Sequence, residues 1–357
     1  MRRTAWVILS LLVAAVSARA EILWVANAGD GTVSVIDTRK ANRVVANIAL
    51  GAGSVPVEVA VNAFYPEVYV TDAGRASLWV LSYVSKAVIT EIPLSIVSPF
   101  GLAIMPLGDF VYVSNADGGI TSGMISLVNT QRRREFRTID ISTQGLVSLD
   151  MALTPVRATT LYVACNGTDS VAGIDTRTST LLGGQFPLLL GTAASAPFAI
   201  ALRRDNAFLY VCDDDPAAAT SELVVFDVPT LTPSVVAMAA GERCTDIVCH
   251  PNNLKAYVCT GGGGRVRVLN TVVHTFVSNL VNVPAGALPA KAALNENGRV
   301  GMFTEQAGSG AMIFQTMADV VTSPVIGTGT TPFGCAISAI TSDPIGARVR
   351  QRQLRRR

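Results

Sequence analysis

From residue 22 onward, apolar and polar positions alternate in short runs broken by small polar turns. The stretch "VYVSNADGG" at 111–119 shows the unit: a β-branched, aromatic-containing run, then a polar residue and a Gly/Asp turn. It recurs as "EVYVTDAGR" (67–75), "TLYVACNGT" (160–168), "FLYVCDDDP" (208–216) and "KAYVCTGGG" (255–263). The aromatic of the run falls at Trp24, Tyr69, Tyr112, Tyr162, Tyr210 and Tyr257, with Met302 in the seventh place. The spacings are 45, 43, 50, 48, 47 and 45 residues. Between these runs the pattern predicts three more strands per unit. In the first unit these are "TVSVID" (32–37), "VVANIAL" (44–50) and a proline-opened run, "PVEVAVN" (56–62). Period-two runs with turn signals at this interval predict four-stranded propeller blades, and helical periodicity is absent after the N-terminal segment.

Inner strands are expected to begin at Pro56, Pro99, Ser148, Pro197, Cys244, Pro289 and Pro332, which predicts seven blades. The first strand after the N-terminal segment has no inner strand ahead of it, and the last run, at 332–338, has no blade after it. The last strand is therefore expected to complete the first blade, closing an all-β ring of antiparallel blades and removing free inner edges. The stretches "WVANAGDGTVSVIDTRKANRVVANIALG" and "YVTDAG" resemble the YVTN-repeat β-propeller family, part of a lactonase-like propeller superfamily, over about residues 22–340. That resemblance implies the fold. It covers surface proteins, binding modules and lactonase-like enzymes alike, so it leaves function open.

The N-terminus changes the picture of where the ring works. Met1-Arg2-Arg3, an apolar run of about 12 residues and "SARA" before Glu21 read as a secretory signal peptide spanning 1–20. The run is shorter than the roughly 20 residues a spanning helix needs. The expected product is exported, to the periplasm, the cell surface or the medium. It comprises a propeller domain at 21–340 and a basic, disordered tail at 341–357. Nine of the 28 bases and one of the 26 acids lie outside residues 21–340, which leaves that stretch at net −6. An acidic body excludes nucleic acid as the main partner. Cys165, Cys212, Cys244, Cys249, Cys259 and Cys335 allow 15 pairings, and the sequence does not choose among them.

Aligned from their opening residues, the inner strands carry one unusual column. Its members are Glu58, Gly101, Asp150, Ala199, Asp246, Lys291 and Gly334. Two residues further on, the column is almost all alanine, as expected where blades crowd an axis. Three residues past each aromatic stand Asn27, Asp72, Asn115, Cys165, Asp213, Thr260 and Glu305, placed at the mouth where inner strands begin. That mouth is expected to be acidic. The opposite one is expected to be basic, with Arg39, Lys40, Arg43, Lys86, Arg132, Arg133, Arg134, Arg177, Arg203, Arg204 and Lys255. Crowded carboxylates demand a compensating cation, and oxygen donors suit Ca²⁺ or Mg²⁺. Glu58, Asp150 and Asp246 are thus candidate metal ligands, with Lys291, Asp72, Asp213 and Glu305 as further ligand-binding candidates. The competing reading is a hydrated lining partly paired with Lys291.

Other motifs add little. "GGGG" (261–264) lacks the Lys-Ser/Thr of a phosphate loop, "DDDP" (213–216) lacks calcium-loop spacing, and the two histidines, His250 and His274, fall away from the acids. The function expected is a binding module that holds a protein or glycan, as a monomer without a transmembrane segment once the signal is removed. The rivals are a lactonase-like hydrolase using a divalent cation, and a structural surface repeat protein.

Overall fold

The computed structural model describes residues 21–339 apart from 156, 192–195, 216–219 and 281. The expected signal segment and basic tail lie outside the described residues. Seven sheets, each of four antiparallel strands, follow one another round a ring. Blade 1 pairs Glu21–Asn27, Thr32–Asp37 and Arg43–Ala49 with the last strand, Pro332–Ala339. The ring therefore closes as the sequence predicts. The inner strands of blades 2 to 7 are Pro56–Val61, Pro99–Ile104, Ser148–Leu153, Pro197–Leu202, Arg243–Cys249 and Pro289–Leu294. In blades 4 and 7 the outer strand is split into two short pieces, Thr180–Leu181 with Leu188–Leu189 and Val320–Val321 with Ile326–Gly327.

The repeated aromatics explain the repeat. Trp24, Tyr69, Tyr112, Tyr210 and Tyr257 are buried, as is Met302 in the place of the lost tyrosine. They belong to seven apolar clusters, each formed by the facing sides of two neighbouring blades. A single blade has two apolar faces and cannot bury either alone, so each needs a neighbour on both sides.

All seven inner strands share a feature that alternation does not reveal. Pairing with the second strand slips at one place, between Pro56 and Val59, Pro99 and Leu102, Ser148 and Met151, Pro197 and Ala199, Cys244 and Asp246, Pro289 and Ala292, and Pro332 and Cys335. Such a bulge adds a residue and re-aims the side chains around it. Here it delivers two successive residues of each strand to the axis.

A bulge leaves an N–H outside the ladder, and hydroxyls take it up. Thr71 Oγ1 accepts Glu58 N–H at 3.0 Å and donates to Phe100 O of the next blade at 2.6 Å. Thr304 does the same with Lys291 N–H and Phe333 O, and Ser114 with Gly101 N–H and Leu149 O. One hydroxyl thus satisfies the bulge and ties two blades together. Thr71 is fully buried. Thr71→Val keeps its shape but strands the Glu58 N–H, which should cost about 1–3 kcal/mol. Urea titration of Thr71→Val beside Thr71→Ser checks this, since the serine should stay near wild type.

At the equivalent position in blade 5 stands Cys212, which is joined to Cys244 on the inner strand of blade 6 with an S–S distance of 2.06 Å. The bond occupies the seam that a hydroxyl spans elsewhere. The other four cysteines are reduced thiols, three of them buried.

Candidate functional site

The bulges bring the charged column together. Lys291 reaches from blade 7 so that its Nζ lies 3.1 Å from Glu58 Oε2, 3.3 Å from Asp150 Oδ2 and 3.5 Å from Asp246 Oδ1. These partners come from blades 2, 4 and 6, so the ammonium stands near the ring axis. Their side chains are between 6% and 14% exposed, which makes this a closed layer rather than an open channel wall. Gly334 of blade 1, in the same column, has no room for a side chain, since a Cβ there would lie 2.4 Å from Val57 O and 2.8 Å from Glu58 Oε1.

Backbone donors hold the acids in place. Asp150 accepts from Met151 N–H at 2.8 Å and from Ile200 N–H of the next blade at 3.2 Å. Asp246 accepts from Ala292 N–H of the next blade at 2.7 Å, and Glu58 from Val59 N–H at 3.1 Å. Three carboxylates facing one ammonium leave an excess of negative charge. Burial pushes the Asp246 carboxyl up to about 7, against the pull of Lys291 and with the push of Asp150. Burial likewise raises Glu58. Burial alone would lower Lys291, but Asp150, Asp246 and Glu58 outweigh it and hold the ammonium well above its ordinary range.

A carboxyl raised in the folded state holds a proton that the unfolded chain releases near pH 4, so its contribution is complete below that pH. It is lost as pH rises through about 7, the Asp246 value. The Asp246 contribution to unfolding free energy should therefore decline between about pH 4 and pH 7, and Asp246→Asn should remove that component of the pH dependence. Urea midpoints of the two proteins at pH 5 and pH 7.5 check this. An unchanged slope in Asp246→Asn would refute it.

The other candidates do not join this layer. Asp72 accepts from Val55 N–H at 2.8 Å, Gly74 N–H at 3.0 Å and Trp79 Nε1–H at 2.8 Å. Asp213 accepts from Ala196 N–H at 2.7 Å, and Glu305 from Leu288 N–H and Ala307 N–H, both at 2.9 Å. Asn115 does the same for Ser98 N–H at 3.0 Å. Each fastens the turn that leads into its own blade's inner strand.

A divalent cation does not fit the three candidate ligands as they stand. The position from which one ion would meet Glu58, Asp150 and Asp246 is held by Lys291 Nζ. Among the described residues no three His, Cys, Asp or Glu side chains are grouped to hold a metal.

Immediately toward the mouth where inner strands begin, the preceding column forms an apolar layer. Phe100, Phe198 and Phe333, from blades 3, 5 and 1, meet edge to face with ring centroids 5.6, 6.1 and 6.4 Å apart. Side chains from three non-adjacent blades can meet only near the axis, so this trio caps the charged layer. All three are half-buried. The signal for it was present in the thrice-repeated "PF" of 99–100, 197–198 and 332–333. Around it the turns present exposed Val55, Val97, Ile120 and Leu288 beside Asp30 and Asp117.

The charge separation between the two mouths is a bias rather than a strict division. At the acidic mouth Arg75 pairs with Glu91, Arg243 with Asp214, and Arg265 and Arg267 with Glu242. At the basic mouth Arg39, Arg133, Arg177, Arg203 and Lys255 pair with Asp37, Glu67, Asp175, Asp205 and Asp319.

No protein-family model and no curated protein matches the chain. Solved structures do. Hydrazine synthase of Kuenenia stuttgartiensis superposes with a TM-score of 0.66 at 17% identity, over 78% of this chain and 88% of that one. A functionally unknown protein from Desulfotomaculum acetoxidans superposes with a TM-score of 0.69 at 17% identity, over 90% of this chain and 99% of that one. At such identity the likeness shows a shared fold, and the chain is a seven-bladed β-propeller.

Proposed function

We propose that the protein is an exported binding module that holds a protein or glycan partner on its acidic mouth. One observation carries this reading. The charged layer is paired within itself, and the half-buried Phe100, Phe198 and Phe333 that cap it face the mouth. An apolar floor with Asp30 and Asp117 on its rim suits a protruding apolar group flanked by basic or hydroxyl-rich surface. A hydrolase of the lactonase-like kind would need a divalent ion at the axis. With Lys291 in that place, no catalytic step is derived.

The test uses the two rims. Leu288→Asp and Val55→Asp, at sites 41% and 40% exposed, should weaken capture of a purified protein or glycan partner at least ten-fold. Val273→Asp on the opposite mouth should leave it unchanged. Equal losses from both mouths would reject the assignment. So would turnover of a lactone panel that disappears in Lys291→Met.

A further inference from the structure

The opposite mouth carries a different chemistry, outside the binding reading above. Its turns expose large apolar side chains at their tips. Met317 is 91% exposed, Val272 and Val273 about 60%, and Leu254 57%, all on the adjacent blades 6 and 7, with Val84 and Leu107 across the ring on the turns of blades 2 and 3. Between them stand exposed bases that no carboxylate among the described residues pairs: Lys40, Arg43, Arg132, Arg134, Arg157 and Arg204. The acids of this mouth are mostly occupied, since Asp37, Glu67, Asp175, Asp205 and Asp319 each bind a base already.

Both ends of the described chain also meet here. Glu21 pairs with Ala339 at the end of the seam, so the sequence that continues past Ala339 departs from this mouth. That sequence contains Arg348, Arg350, Arg352, Arg355, Arg356 and Arg357 against one acid, Asp343. A polysaccharide or nucleic acid would reward the bases and ignore the apolar tips. A bilayer rewards both, because apolar tips enter the headgroup boundary while bases meet anionic lipid.

The geometry points to peripheral attachment of this mouth to an anionic lipid bilayer, with the tips of blades 6 and 7 inserted and the basic turns on the headgroups. The partner mouth then faces away from the membrane.

Flotation with vesicles tests it, using the chain from Glu21 to Arg357, whose ring is built wholly from residues 21–339. Vesicles of phosphatidylcholine with about 30% phosphatidylglycerol should bind, and pure phosphatidylcholine should bind at least ten-fold more weakly, because each base near an anionic surface contributes about five-fold. Raising salt from about 0.1 to 0.5 M should release the protein, since the screening length shortens. Ending the chain at residue 340 should reduce partitioning about a hundred-fold or more. The surface variants Val272→Ser/Val273→Ser/Met317→Ser and Arg132→Glu/Arg134→Glu should each lower it at least ten-fold with unchanged melting temperature. Ile120→Ser and Leu288→Asp, on the other mouth, should have no effect. Absence of vesicle binding overturns the proposal, as does equal binding to neutral vesicles. It is also overturned by indifference to the apolar variant, or by retention on an acidic polysaccharide without vesicle binding. None of these outcomes touches the partner assignment, which Leu288→Asp and Val55→Asp decide separately.

Discussion

Lys291→Met should destabilise the protein by about 3–5 kcal/mol at neutral pH, because it removes the ammonium that faces three buried carboxylates. Methionine fills nearly the same volume, so packing changes little and the loss reports electrostatics. Glu58, Asp150 and Asp246 would then face one another across the axis without the ammonium now 3.1–3.5 Å away. Protonation is their remaining relief. Glu58 and Asp246, already raised by burial, would be raised still further in the folded state, so the deficit should shrink as pH falls toward 4 and widen above 7. Urea unfolding of wild type and variant at pH 5 and pH 7.5 reads both quantities. A variant as stable as wild type at pH 7.5 would mean that the layer does not depend on the ion pairs. Combining Lys291→Met with Glu58→Gln, Asp150→Asn and Asp246→Asn should recover much of the loss, since the charges are then removed together.

Reducing the Cys212–Cys244 bond should cost about 3–4 kcal/mol, the loop-closure value for its separation of 32 residues. Denaturation midpoints with and without a strong reductant measure it, and a Cys212→Ser/Cys244→Ser protein should be indifferent to reductant. If reductant leaves the wild-type midpoint unmoved, the bond contributes nothing to the seam.

Most of the architecture was legible because it is written in alternation. The aromatic register, the proline-opened inner strands and the orphan strand at each end gave seven blades and their closure, and the charged column came from the same alignment. The site's working was less legible. The bulge is a backbone event with no residue signature of its own, yet it sends Phe100 and Glu58, from successive columns of different blades, to the axis. The three hydroxyls look like ordinary strand residues until the stranded N–H beside each is known. Lys291 was in the aligned column, but only a distance shows that its ammonium stands where an ion would. Asp72, Asp213 and Glu305 shared composition with the cluster while serving turns of their own. The Cys212–Cys244 pair was hidden because two cysteines 32 residues apart come together only across a seam between blades.

The closing seam has a mechanical consequence. The two ends of the described residues lie at the same end of one antiparallel pair in blade 1, Glu21 opposite Ala339. Tension between the termini would therefore pull that ladder apart from its end, one hydrogen bond after another, rather than shear all of them together. Blade 1 would open at low force while the other six sheets, each continuous in sequence, kept their internal pairing. Held by both ends, the ring behaves as a zip; held by its tail alone, it carries no tension across the seam.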